Sequence, residues 1–305
     1  MPALIELADH HFQDLCADPE VRRILAEANR NGGRTSLGFW AILVLGLLLV
    51  AAATIIAFAL DRPVLAVIVG GVGMLAVYVI AAIPLAMAGR AIKLPVFQRL
   101  AARHGLAYAP LTGLVPLHAE ASPHLFDVWL TTESFTDLFQ GKDERDHRFA
   151  TWQTYLARGS GGDIKPVFNG RVFAFERRTW GKGRILIVPA GRYFGSTRGT
   201  ADMRPVTLGD AEFERWFQVH ATVEAEARAL LGPEARRMLL ALRKGGKLRI
   251  YAGLGDILVA LDGRKGFTPG LGFFFRRGEA RVRAMFDDLA DSLHLLRTLK
   301  AGLDP

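Results

Sequence analysis

Eight histidines and a single cysteine bound the metal and nucleophile chemistry open to this chain. A zinc ribbon needs several thiolates, and Cys16 stands alone, so that site and any intrachain disulfide are excluded. No His-Glu-x-x-His occurs. His10 and His11 with Asp14 could meet a metal on one helical turn, although the same spacing describes a solvated helix face. His118 and His124 flank Pro123 and read as polar loop residues, and His220 follows an aromatic stretch and reads as a packing or capping group. Gly253-Leu254-Gly255 lacks the third glycine of a dinucleotide fingerprint, and a strand rather than a helix is expected after it. No phosphate-cradling Gly-x-x-x-x-Gly-Lys and no Gly-x-Ser-x-Gly elbow is present. No catalytic residue, metal ligand or cofactor site is therefore assigned, and no cofactor is expected.

The basic residues carry the stronger signal. The chain has a formal charge of +8 and a pI near 9.9, which fits an acidic partner such as an anionic membrane surface or nucleic acid. Clusters fall at Arg177-Arg178 with Lys182 and Arg184, at Arg243-Lys244 with Lys247 and Arg249, and at Arg276-Arg277 with Arg281 and Arg283. A basic side chain near an anionic leaflet is worth about 1 kcal/mol. Arg34, Arg90, Lys93, Arg243, Lys244 and Lys247 are the candidate lipid contacts. The plainer reading is a solvated face that keeps the domain soluble. No nucleic-acid-binding signature occurs, so nucleic acid ranks behind lipid and protein partners.

Two apolar runs must position these groups. Mean hydropathy is +0.21, and the excess lies almost wholly in residues 37–89. Leu37 to Leu60 holds no charged side chain, and as a helix it would span roughly 36 Å, more than the roughly 30 Å of a bilayer's hydrocarbon. Asp61-Arg62-Pro63 interrupts it, and Val64 to Gly89 is again uncharged. The pair predicts a transmembrane helical hairpin, with Trp40 at headgroup level. Arg22, Arg23, Arg30 and Arg34 precede the hairpin, Arg62 alone lies in its turn, and Arg90, Lys93, Arg99 and Arg103 follow it. That asymmetry predicts both ends in the cytoplasm. Ala66 and Gly70 of the second span are expected against Ala53 and Ala57 of the first, a close intramolecular packing. With no ionisable group inside either span, the hairpin reads as an anchor rather than a channel.

The domains expected are a short cytosolic helical segment over 1–36, the hairpin over 37–89 and a cytosolic domain over 90–305. Asp18-Pro19 predicts a helix start and Asn31-Gly32-Gly33 a stop. Pro84 is expected to kink the second span, and Pro95 to bend or restart the helix beyond it. Residues 147–157 alternate as a strand. Val167-Phe168, Asn169-Gly170 and Val172 to Phe175 read as strand, turn or bulge, and strand. Ile185 to Val188 is a short strand followed by a loop over 190–204. Asp210 caps a helix expected to hold Glu212, Phe213, Trp216 and Phe217. Helices over 223–231 and 233–243, a hairpin of Lys247–Ala252 with Ile257–Leu261, and a closing helix over 278–299 complete the chain. The fold class is α+β: an N-terminal transmembrane helical hairpin, then a mixed, mainly antiparallel sheet domain with packed helices.

The segment VTLGDAEFERWFQVHATVEAEARALLGPEARRMLLAL over 206–242 resembles the signature of a bacterial two-span membrane-protein family known as domain of unknown function thirty-one thirty-seven. The resemblance falls on Asp210 through Phe217, Glu226-Ala227-Arg228, Leu231, Pro233 and Leu239-Leu240. VFNGRVFAFE over 167–176 and LRIYAGLGDILVAL over 248–261 extend it. The chain departs from the pattern at Leu208-Gly209 and Thr222-Val223, where the family carries acidic residues. The resemblance implies an inner-membrane location and, from gene neighbourhood, a LemA-type membrane protein as a partner. The function expected is a membrane-anchored cytosolic interaction or regulatory module that also contacts anionic lipid. The alternative is a membrane-tethered enzyme on a lipid-derived or phosphate-bearing substrate, its site among Arg192, Tyr193, Arg198 and Arg204.

Overall fold

A computed structural model describes residues 7–111, 125–126, 132–160, 163–177, 183–191, 202–243, 247–253, 255–263 and 279–304. The chain divides into two compact units.

One unit comprises Asp9–Arg99 and Pro269–Phe286. It opens with α1 (Asp9–Ala17) and α2 (Pro19–Ala59), and α3 (Pro63–Arg103) returns. Asp18 caps α2 by accepting from the N–H groups of Glu20 at 2.9 Å and Val21 at 3.4 Å, with Pro19 in the first turn where no N–H is needed. The turn between α2 and α3 is Leu60-Asp61-Arg62, with Asp61 in the left-handed region at φ 55. Leu37–Ala59 and Pro63–Ala81 are both long and apolar enough to cross a membrane. Their large apolar side chains, Leu45, Leu49, Ile55, Val67 and Leu75 among them, face outward. A surface this apolar is costly in water and points to membrane association.

Glycine sets the closeness of the two helices. A Cβ on Gly46 would stand 2.5 Å from a Val77 methyl, and one on Gly73 would stand 2.8 Å from a Val50 methyl. Gly70 faces Thr54, and Ala57 and Ala66 are buried. The intramolecular packing expected is present, but Ala53 is exposed and Thr54 takes its place against Gly70. The expected stop at Asn31-Gly32-Gly33 is absent, because α2 runs unbroken through it. Glycine costs a helix interior about 1 kcal/mol, little against a capped start on one side and a long apolar helix on the other. α3 runs as one helix through Pro84 and Pro95, so it does not restart at Pro95. Arg99 pairs with Glu20, tying the two helices together far from their turn. Phe12 of α1 meets the ring of Phe286 edge-on at 5.6 Å, and Arg283 pairs with Asp9 at 2.7 Å.

The other unit contains Leu100–Thr268 and Asp287–Pro305. Among the described residues its sheet has nine strands in the order β1-β2-β3-β4-β9-β8-β5-β7-β6. These are β1 (Ala107–Leu111), β2 (Thr132–Lys142), β3 (Arg148–Arg158), β4 (Lys165–Glu176), β5 (Ile185–Pro189), β6 (Arg204–Pro205), β7 (Phe217–Ala221), β8 (Leu248–Gly253) and β9 (Asp256–Asp262). Every ladder between them is antiparallel, so the fold is α+β with nothing parallel in the described sheet. Between the strands lie α4 (Ala211–Glu214), α5 (Glu224–Leu230) and α6 (Pro233–Leu242). The closing helix α7 is Glu279–Leu303.

One core cluster gathers Trp152 and Leu156 of β3, Phe168 and Val172 of β4, Leu186 of β5, Tyr251 of β8, and Leu258 and Ala260 of β9. Leu125, Phe126 and Met203 pack onto it from outside the sheet. Arg171, on the alternate set of β4 positions, reaches the carbonyl of Asp288 in α7 at 3.1 Å. The stripe Val282, Phe286, Leu289, Leu293 and Leu296 of α7 is buried throughout, as its spacing predicts.

The strand, turn or bulge, and strand expected around Asn169-Gly170 is one continuous strand, and the register shift of its ladder with β3 lies just before, between Pro166 and Phe168. Asn169 and Gly170 stay in register with Tyr155 and Thr154. The glycine serves a close approach: a Cβ there would lie 2.1 Å from the Leu261 carbonyl oxygen of β9. The expected helix over Glu212–Phe217 is only Ala211–Glu214, because Phe217 already enters β7. Strands β1, β2, β6 and β7 were not foreseen, and Arg204, expected in a loop, opens β6. Asp137 interrupts β2 at φ 57 where the register shifts between Thr136 and Phe139, which breaks the alternation that marks a strand.

Candidate functional site

The segment over 206–242 is built by its own side chains. Asp210 accepts from the Phe213 N–H at 3.0 Å to cap α4, and its other oxygen meets Arg236 of α6 at 3.0 Å. Glu214 folds back onto the N–H groups of Leu208 at 2.7 Å and Gly209 at 2.9 Å. Gly209 sits at φ 74, which suits glycine. Glu226 accepts from the Gly183 N–H at 3.0 Å, just before β5, and Arg228 donates to the Thr207 carbonyl at 2.6 Å. Phe213 and Phe217 stack with centroids 4.9 Å apart. The charged residues that carry the family resemblance thus hold backbone in place, and that use accounts for their spacing.

What these staples leave at the surface is Trp216. It is 37% exposed, and outside the hairpin helices only Ile164 and Val223 share that status among the described large apolar side chains. The Arg243 guanidinium at the end of α6 lies 3.5 Å from the Trp216 ring centroid, and that of Arg215 lies 5.4 Å away. Both fall within cation–π range. Lys247 is exposed just before β8. Residues 236–247 carry Arg236, Arg237, Arg243, Lys244 and Lys247 and no acidic residue. Among the described residues, Arg215, Arg243 and Lys247 form no ion pair. The arrangement is a cationic surface with an aromatic centre.

The other candidate lipid contacts are distributed differently. Arg34 lies on α2, and Arg90 and Lys93 lie on α3. The Lys93 ammonium sits 5.9 Å from the Phe97 ring, one turn along its own helix. Lys244 falls outside the described residues, as do Arg178, Lys182, Arg192, Tyr193, Arg198, His118 and His124. Arg204 opens β6 and is exposed. The rings of His10 and His11 lie 3.8 Å apart, tilted at 41° to each other, and no group of three metal-binding side chains occurs among the described residues. Arg215 and Trp216 were missed as a site by sequence reasoning. Their adjacency was readable, but the arrival of Arg243 on the ring depends on how α6 packs.

Two buried polar pairs complete the inventory. Lys300 of α7 binds Asp143, in the turn between β2 and β3, with both side chains only 10% exposed. Burial pushes the Asp143 carboxyl up. The Lys300 ammonium and the N–H groups of His147 and Arg145 outweigh that and hold it at about 2. Tyr108 of β1 donates to Asp137 at 2.9 Å. Burial and the adjacent carboxylate push the phenol well above its ordinary range. Burial lowers the His220 imidazole. The Lys300–Asp143 and Tyr108–Asp137 pairs tie elements of the sheet unit together.

Comparison with known proteins adds the family. No curated protein matches the chain. A crystal structure of the mycobacterial trehalose monomycolate transport factor A, TtfA, is similar at 12% identity, covering 68% of this chain and 94% of that one, with a TM-score of 0.35. A likeness that slight carries no argument about fold or role. Residues 166–300, from β4 through most of α7, match the family model described as "Protein of unknown function (DUF3137)", so the chain carries a domain of that family.

Proposed function

We propose that the protein is a bacterial inner-membrane protein, anchored by its two-helix hairpin, whose sheet domain serves in the cytoplasm as an interaction or regulatory module for a protein partner. The observation that carries this reading is the hairpin itself, with apolar side chains facing outward along both spans and basic residues massed at the ends away from the turn. The described polar clusters are structural, which favours a binding module over a catalyst.

Topology tests it directly. In intact spheroplasts a membrane-impermeant maleimide leaves Cys16 unlabelled, while a cysteine placed by Asp61→Cys in a Cys16→Ser chain labels. Burial, aided by Glu279 and opposed by Arg283, raises the Cys16 thiol, so its labelling is calibrated on the denatured chain. Labelling of Cys16 from outside with a protected turn inverts the protein and ends the cytoplasmic reading. Crosslinking in native membranes then tests the partner, with a LemA-type membrane protein probed first.

A further inference from the structure

We infer that Trp216, with Arg215 and Arg243 at its ring and the exposed Lys247 four residues beyond Arg243, docks on the anionic headgroups of the membrane that holds the chain's own hairpin. This deepens the membrane-anchored reading and rests on it. Trp216 keeps 37% of its surface exposed, and the guanidinium of Arg243 lies against its ring. Indole is the side chain best suited to a headgroup layer, where its ring sits among glycerol and acyl carbons and its N–H stays hydrated. The Arg243 guanidinium lies 3.5 Å from the ring centroid and would enter the headgroup layer beside the ring. A guanidinium so placed can meet a phosphate through two N–H groups.

The charge pattern selects the same occupant. Of the five basic residues over 236–247, Arg236 and Arg237 pair with Asp210 and Glu234, and the charges left over, Arg243 and Lys247 among the described residues, favour a surface of repeated negative charge. Anchoring supplies the rest. A contact too weak to recruit a free protein suffices for one that is already tethered, because tethering replaces bulk concentration by a high effective one. An acidic protein surface has complementary charge as well, but it would show no dependence on lipid composition, and the experiment separates the two.

Full-length protein carrying Cys16→Ser and Gln218→Cys is labelled with an environment-sensitive fluorophore. Gln218 is exposed two residues beyond Trp216. The protein is reconstituted into vesicles of phosphatidylcholine, with or without phosphatidylglycerol, containing brominated lipid as quencher. Quenching is expected to be about threefold greater with phosphatidylglycerol, and to fall to the phosphatidylcholine level in high salt as screening shortens the reach of the charges. Trp216→Ala and Arg243→Glu should each abolish the difference. Lys247→Glu, at an exposed position, should reduce it about twofold. Equal quenching in both lipids, or quenching unchanged by Trp216→Ala and Lys247→Glu, overturns the inference. If the chain still floats with the vesicles in that case, the anchored reading survives and an acidic protein becomes the occupant. A chain that does not float with its vesicles takes both readings down.

Discussion

Glycine serves two purposes in the two units, and the contrast separates two kinds of packing. In the hairpin Gly46 and Gly73 make room for the side chains of Val77 and Val50 on the facing helix. In the sheet Gly170 makes room for backbone, the Leu261 carbonyl of the neighbouring strand. A side chain can rotate or its helix can shift, whereas a ladder cannot move one carbonyl without breaking its register. The outer surfaces differ in the same way. The hairpin turns its large apolar residues outward and requires an apolar surrounding, while the sheet unit buries Trp152, Phe168, Phe173 and Tyr251 within itself. One unit is completed by its solvent and the other by its own chain.

The sharpest break in that comparison is Gly170→Val. Backbone overlap at 2.1 Å should cost about 4 kcal/mol or more and abolish the cooperative thermal transition of the sheet unit in detergent-solubilised protein. A variant that melts within a few degrees of the parent would show that β4 and β9 approach less closely than described.

Next in size is Lys300→Met, which strands the buried Asp143 carboxylate and should cost about 3 kcal/mol at neutral pH. Because the native carboxyl ionises at about 2, below its unfolded value of about 3.9, the native state gains stability above pH 4. That gain, about 2–3 kcal/mol, is lost as pH falls through 4 towards 2. The variant should show a shallower acid limb in stability measured against pH, and an unchanged limb would remove Lys300 as its cause.

In the hairpin, Gly73→Leu should cost about 1–2 kcal/mol and separate the spans locally. The readout is oxidation of a Gly46→Cys, Val77→Cys pair in a Cys16→Ser chain, which should crosslink in the parent and less completely with Gly73→Leu. Failure of the parent pair to crosslink would refute the helix register. Smallest is Thr154→Val. The buried Thr154 hydroxyl has no hydrogen-bond partner among the described residues, so an isosteric apolar side chain should stabilise the sheet unit by about 0.5–1 kcal/mol. A loss of stability there would reveal a partner for the hydroxyl.

The candidate site divides along the same line. Arg243, Lys244 and Lys247 could be picked out as a basic run because charge composition is local. Trp216 as the centre of that run could not, since α6 alone brings Arg243 to the ring. The acidic residues of the 206–242 segment could be noticed by position, but their work as a cap and as backbone clamps shows only once Leu208, Gly209 and Gly183 are near them.

By itself the sequence determined the two spans, the break at Gly232-Pro233 between α5 and α6, the β8–β9 hairpin and the buried stripe of α7. Each is set by the period or composition of a continuous stretch, so the signal lies within one element. The tertiary structure alone decided the order of the nine strands, the continuity of β4 through Gly170, the bulge at Asp137 and the pairing of Lys300 with Asp143. Those features join residues far apart in the chain. Their energies come from what a side chain or a carbonyl meets across the fold, which no local pattern encodes.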